Sequence, residues 1–262
     1  MARISPGTAL SVAEVAALID HALLAPDLTL DDVLRGVDSV AAQPLASLCV
    51  RPLDVAPVVR HVAGTGRRVG TVIGFPHGAT TSAAKVAEAQ QALLDGAVEL
   101  DMVLTIGRLR AGDVEAVTRD IRGVVDAAAG RAVVKVIFET ALLDDGHKVD
   151  ACRAAADAGA DYVKTSTGFA KVPDADRPTG ATVADVLLMA ANVPDRMGVK
   201  ASGGIRDLEG VLALVGAGAT RIGCSGSAGI LAAARGVVAT SPDGVLIVPE
   251  PPRGRRSGQG PT

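Results

Sequence analysis

Short apolar runs, rich in β-branched residues, alternate along the chain with longer stretches in which alanine, valine and leucine recur at helical spacing. The runs predict strands at Leu18–His21, Ala46–Val50, Val69–Gly74, Val98–Val103, Val133–Phe138, Tyr162–Lys164, Gly198–Ala201 and Arg221–Gly223. Helical spacing between them is clearest at Thr81–Asp95, Val114–Ala129, Asp145–Ala158, Val183–Ala191 and Asp207–Val215. Several runs are apolar at every position, as in strands covered on both faces, which is the condition of a parallel sheet flanked by helices. Gly-Ala pairs (Gly96-Ala97, Gly159-Ala160, Gly218-Ala219) precede strands, where a glycine C-cap turns the chain back inward. Eight strand-plus-helix units without a long structureless gap predict a closed (β/α)8 barrel, the TIM-barrel architecture, in one domain over residues 1–248.

Two segments break this rhythm. Residues 169–180 (FAKVPDADRPTG) form a polar, proline-rich insertion directly after the sixth predicted strand. On a barrel that position is the catalytic rim, so a mobile loop on the substrate side is expected. Residues 249–262 (PEPPRGRRSGQGPT) have the composition of a disordered tail.

Composition narrows the function more than the fold. The 262 residues carry a net charge of −3, which leaves no basic footprint for nucleic acid or anionic lipid. The three cysteines are odd in number and far apart, which fits a reducing compartment. The first residues lack the layout of a signal peptide, and no apolar run is long enough to span a bilayer. A soluble cytoplasmic protein, with neither nucleic acid nor membrane as partner, is expected. Neither GxGxxG nor GxxxxGK[ST] follows a strand, which weighs against a nucleotide site.

The lysines are the informative residues. There are six, against twenty arginines, so arginine supplies the ordinary surface cations. Yet Lys135, Lys164 and Lys200 all lie inside predicted strands. Burial disfavours an ammonium, and a strand lysine that merely snorkels or pairs with a carboxylate is the bland explanation of any one of them. Two near the C-terminal ends of adjacent strands are harder to dismiss. Lys164 and Lys200 would point into the same mouth, and each would lower the other's pKa, which is how a lysine becomes a nucleophile. Asp101, apolar on both sides, requires a cationic or hydrogen-bonding partner, and Glu99 shares its face one layer deeper. Asp20, at the end of the first strand, reads equally as a turn aspartate or as a rim residue. The four histidines form no HExxH, and no Cys/His cluster offers metal ligands. Glycine-rich loops after the seventh strand (Gly203, Gly204) and the eighth (Ser225, Gly226) could present backbone N–H groups to a phosphate, where barrels commonly hold one.

From about Ile19 to Leu231 these motifs resemble the deoxyribose-phosphate aldolase family. The resemblance is carried by IDHALL (19–24), SLCV (47–50), TVIGFPHGATT (71–81), ELDMVLTIG (99–107), VKVIFET (134–140), DYVKTSTGF (161–169), GVKASGGIR (198–206) and ATRIG (219–223). It implies a class I aldolase needing no cofactor and no metal. Lys164 would form the Schiff base, with Asp101 and Lys200 as its proton-handling partners. Asp20, Thr167, Gly168, Gly203, Gly204, Ser225 and Gly226 would bind substrate and phosphate. The implied substrates are a small phosphorylated sugar and its aldehyde products, and the implied assembly is a homo-oligomer, a dimer or a tetramer. This chain departs from the family's pattern at Ala22, where threonine is frequent, and at Gly226, where a second serine is frequent. Its insertion is longer, and its tail has no tyrosine. Two rival readings remain: a Schiff-base barrel acting on another sugar phosphate or keto acid, and a non-catalytic binding barrel whose lysines are merely paired.

Overall fold

The computed structural model describes residues 2–172 and 177–252. Eight parallel strands close into a barrel: β1 (Ile19–Leu23), β2 (Ser47–Val50), β3 (Val69–Ile73), β4 (Glu99–Val103), β5 (Val133–Ile137), β6 (Tyr162–Lys164), β7 (Gly198–Ser202) and β8 (Arg221–Cys224). Each pairs with the next in sequence, and β8 returns to β1 with Asp20 opposite Gly223. The helices that follow them are α1 (Leu30–Ser39), α2 (Val55–His61), α3 (Ser82–Leu94), α4 (Val114–Ala128), α5 (Asp145–Ala158), α6 (Val183–Asn192), α7 (Leu208–Gly216) and α8 (Ser227–Thr240). The barrel read from the sequence is the barrel observed, and each predicted strand overlaps an observed one.

Local chemistry explains where the helices begin. Thr29, Thr81, Asp144, Thr182 and Asp207 each accept a hydrogen bond from a backbone N–H in the first turn of α1, α3, α5, α6 and α7. Such caps satisfy donors that a helix start leaves free. Between strands and helices lies a continuous aliphatic shell, for example Ile19, Leu100, Val136, Val163 and Val199, all essentially inaccessible. At strand ends the same residues alternate with charged ones, which must therefore point into the barrel.

The last residues of the predicted domain tie the two ends of the chain together. Leu246–Ile247 pairs antiparallel with Ala9–Leu10, and Val248 exchanges backbone hydrogen bonds with Gly7 and Thr8. Pro249 packs on Gly216 at the end of the barrel opposite the mouth. Residues 253–262 of the expected tail, and residues 173–176 of the expected loop, lie outside the described residues. The rest of the 169–180 insertion is tied down at both ends: Phe169 donates its N–H to Thr167 Oγ1 (3.0 Å), and Arg177 donates to the carbonyl of Leu143 (3.1 Å). Among the described residues, no helix is long and apolar enough to cross a membrane.

Candidate active site

The barrel interior is charged, and its charges are shared. Asp101 on β4 accepts from three ammonium groups: Lys135 on β5 (2.7 Å), Lys164 on β6 (2.8 Å) and Lys200 on β7 (2.7 Å). Lys135 also donates to Glu99 (2.5 Å), and Lys200 reaches Asp20 on β1 (2.6 Å). Asp20 in turn accepts from Ser47 Oγ and from Arg221, each at 2.7 Å. None of these side chains except Arg221 is more than 4% exposed. Gly223, opposite Asp20, makes the arrangement sterically possible, because a Cβ there would sit 2.9 Å from Lys200 Cε.

The charge balance singles out one group. Three carboxylates (Asp20, Glu99, Asp101) face four cations (Lys135, Lys164, Lys200, Arg221), and Arg68 reaches Glu99 only from the solvent side. Within this ion-paired set one buried cation is in excess, the Glu139 carboxylate acting on Lys164 only from outside it, and burying an uncompensated charge is costly. Lys135 has Glu99 besides Asp101, and Lys200 has Asp20, whereas Lys164 has only a share of Asp101. Burial lowers the pKa of Lys164, Asp101 opposes that shift, and Lys200 adds to the lowering. Burial would lower Lys200 too, but Asp101 and Asp20 more than offset it and hold its pKa above the ordinary lysine value. Asp101 is buried, which would raise its pKa, yet the three lysines keep it well below the carboxylate range. The sequence argument made the second lysine the cause of Lys164's low pKa; in the structure burial acts first, and Lys200 reinforces it.

Above the charged cluster a cavity of about 470 Å³ opens at the C-terminal ends of the strands. Thr167, Gly168, Gly203, Gly204, Ser225 and Arg206 are on its wall. Gly203 carries φ +89°, and its carbonyl accepts from Ala181 N (3.0 Å), so the 203–204 turn is braced against the far end of the insertion. Gly226 caps the N-terminus of α8 directly after Ser225. Behind that cap, His21 Nδ1 meets Ser227 Oγ at 2.9 Å. Burial lowers the His21 pKa to about 4, so at neutral pH the ring is uncharged. A second cavity, about 370 Å³, shares Thr167 and Phe169 with the first and is lined also by His77 and Glu139. Phe169 stands edge-on to Phe75, with centroids 5.3 Å apart.

The structure thus brings Lys164, Asp101 and Lys200 into one hydrogen-bonded group and gathers Thr167, Gly168, Gly203, Gly204 and Ser225 around one cavity. Asp20 belongs to the first set. It is wholly buried and paired with Lys200 and Arg221, and is neither a turn residue nor a cavity-wall residue. Sequence reasoning noticed Lys135 without placing it, and missed Arg221, Ser47 and Glu139. Lys135 carried the same signal as its two neighbours, a lysine in an apolar strand. Arg221 opens its strand and reads as surface until the closure of β8 on β1 is known. Glu139 lies just past a strand and carries no local signal.

Comparison with known proteins agrees with this geometry. Residues 14–234 match the family model described as DeoC/LacD family aldolase. The chain is 46% identical over 223 residues to deoxyribose-phosphate aldolase 1 of Oceanobacillus iheyensis, covering 85% of this chain and 98% of that protein. It is 48% identical over 223 residues to the deoxyribose-phosphate aldolase of Enterococcus faecalis, with the same coverage. Among solved structures it resembles the deoxyribose phosphate aldolase of Aeropyrum pernix, described as a unique tetramer, with a TM-score of 0.77 and 35% identity over 85% of this chain and 92% of that one.

Proposed function

The chain belongs to the DeoC/LacD aldolase family, and from that premise we propose that it cleaves 2-deoxy-D-ribose 5-phosphate reversibly into D-glyceraldehyde 3-phosphate and acetaldehyde. The observation that carries the reading is Lys164, the barrel lysine with the smallest share of the carboxylates, its pKa lowered, on a strand whose chain runs on into the cavity wall at Thr167 and Gly168. A neutral Lys164 Nζ adds to the C1 aldehyde, and loss of water gives an iminium. A base removes the C3 hydroxyl proton, the C2–C3 bond breaks, and its electron pair enters the iminium to form an enamine. Protonation at C2 and hydrolysis then release acetaldehyde and regenerate the amine. Asp101, bonded to both Lys164 and Lys200, is the group through which protons are handled, with Lys200 as its charged partner. The reading requires neither a metal nor an organic cofactor, because the iminium is the electron sink.

The close walls around Lys164, which is 3% exposed, favour an aldehyde donor over a ketone, whose extra substituent would need room beside Nζ. Borohydride reduction in the presence of acetaldehyde, followed by peptide mass spectrometry, tests the reading directly. An adduct on Lys164 supports it. No adduct removes it and leaves a binding barrel, and an adduct elsewhere takes the Schiff base away from Lys164.

The 5-phosphate is assigned to the Gly203, Gly204 and Ser225 turns, with Thr167 and Gly168 on the same wall and Gly226 at the start of α8. Gly204→Asp tests this. Gly204 has φ +72° and room for a Cβ, its nearest neighbour being Gly180 Cα at 3.8 Å, and aspartate is among the residues that best tolerate that backbone. We expect KM for the phosphorylated substrate to rise at least about tenfold, the effect of placing like charge at an anion site, with little change for unphosphorylated deoxyribose. Equal losses for both substrates would show that the turn serves the fold alone.

Lys200→Leu separates the two influences on Lys164. It removes one cation and frees Asp101 to pair with Lys164, so both changes raise the Lys164 pKa. The pH midpoint for borohydride trapping of acetaldehyde should therefore move upward. Burial is untouched, so the shift will be partial. An unchanged midpoint would leave burial as the sole cause. A homo-oligomer in the cytoplasm completes the proposal, supported by the tetramer described for the Aeropyrum enzyme; light scattering of the purified protein tests the assembly.

A further inference from the structure

The wall between the two cavities hangs on one carboxylate. Glu139, directly after β5, is 2% exposed and adopts φ 58°, ψ 64°, a backbone region that side chains other than asparagine or aspartate seldom enter. Its carboxylate accepts from Thr167 twice, from Oγ1 and from the backbone N–H (3.2 Å to Oε2). Thr167 Oγ1 then accepts from Phe169 N (3.0 Å), and Phe169 meets Phe75 edge-on from across the mouth. Thr165 and Ser166, between this turn and Lys164, are pinned separately: Thr165 donates to Ser202 O (3.0 Å), and Ser202 donates to Ser166 O (2.5 Å). Residues 167–169 therefore take their position from Glu139 rather than from the strands.

A strained, buried acidic residue that serves only folding would be costly, since a glycine there would relieve the backbone and remove the buried charge together. Strain of this kind is kept where a site depends on it. Thr167 and Phe169 line both cavities, so whatever fixes them fixes the wall the two cavities share.

We propose that Glu139 is a positioning residue of the aldol reaction: by holding Thr167 it sets the Thr167–Phe169 wall against which the phosphorylated substrate is aligned. This rests on the aldolase reading given above. Glu139 acts through Thr167 and takes no part in forming the iminium. Lys164 feels the Glu139 carboxylate through space, so loss of that carboxylate should weaken productive binding and leave Lys164 reactive toward a small aldehyde, with at most a small downward move in the pH midpoint of trapping.

The test uses the full-length protein and three single variants. Glu139→Gly relaxes the backbone and removes the carboxylate, so it should be at least as heat-stable as wild type. Its KM for 2-deoxyribose 5-phosphate should nevertheless rise on the order of tenfold, as expected for the loss of charge-assisted hydrogen bonds. Glu139→Gln keeps one acceptor oxygen for Thr167 and should fall between the two. Thr167→Val removes the hydroxyl's share of the contact and leaves the backbone N–H on Glu139, so it should show part of the Glu139→Gly defect. The double variant Glu139→Gly with Thr167→Val should fall short of the product of the two single effects, because the hydroxyl–carboxylate bond is common to both. Borohydride trapping of acetaldehyde should stay within about twofold of wild type in the two Glu139 variants. A wild-type KM in Glu139→Gly, or multiplied defects in the double variant, overturns the proposal. Loss of trapping in Glu139→Gly overturns it as well, by placing Glu139 in the chemistry. Failure of the wild type to trap acetaldehyde would instead remove the aldolase reading on which the proposal rests. If Glu139→Gly does not fold, Thr167→Val and Glu139→Gln carry the same comparison.

Discussion

Lys164→Arg is expected to abolish cleavage, by at least about a thousandfold, while leaving the barrel folded. Arginine keeps the charge and can donate to Asp101 as Lys164 does (2.8 Å), so the ion pair survives in kind. What it cannot do is become a neutral nucleophile, since a guanidinium stays protonated throughout the range in which proteins are folded. Lys200 cannot take over. It lies 2.6 Å from Asp20 and 2.7 Å from Asp101, and together they hold its pKa above that of an ordinary lysine. The larger side chain in a packed interior costs about 1–3 kcal/mol, which lowers the melting temperature by a few degrees without unfolding the protein. Lys164→Met, similar in length and uncharged, should be equally inactive. Activity in either variant above roughly one part in a hundred of wild type would show that another group carries the chemistry.

The architecture and the lysines were legible in the sequence for physical reasons, and so were the limits of that reading. Strands covered on both faces are apolar at nearly every position, so a lysine among them, as in Val-Val-Lys-Val-Ile or Tyr-Val-Lys-Thr-Ser, stands out against its neighbours. Asp101 in Glu-Leu-Asp-Met-Val stands out in the same way. The pairing of Asp20 with Lys200 and Arg221 was not legible, because it depends on β8 closing against β1, across 201 positions of sequence from Asp20 to Arg221. Local composition at Asp20 fits a turn and a rim role equally; only closure reveals the cations that meet it. Glu139 was hidden for a related reason. Its role comes from a positive φ and from a threonine 28 positions away, and neither leaves a periodicity to read. The short strand Leu246–Ile247 was not legible because two residues carry no periodicity, and its partner Ala9–Leu10 lies at the other end of the chain.

Asp101→Asn should give the second large effect, and it carries a signature that simple disruption would not. Asp101 uses both oxygens: Oδ1 accepts from Lys135, and Oδ2 from Lys164 and Lys200. An asparagine has one acceptor and one NH2, so in either orientation a donor faces at least one ammonium. Turnover should fall on the order of 10²–10⁴-fold, the scale associated with losing a positioned acid–base group. Stability should fall as well, since unpairing a buried ion pair costs about 3–5 kcal/mol, lessened here if Lys164 sheds its proton. That proton is the diagnostic. Asp101 raises the pKa of Lys164, so its neutralisation lets burial and Lys200 lower that pKa further. The pH midpoint for trapping acetaldehyde, read after long incubation so that slow iminium formation does not matter, should move downward. The shift is opposite in sign to that expected for Lys200→Leu, although both substitutions impair turnover. A midpoint that moves upward in Asp101→Asn, or turnover that stays within tenfold of wild type, would mean that Asp101 neither holds the charge of Lys164 nor handles its protons, and the proton path would have to be sought elsewhere in the barrel mouth.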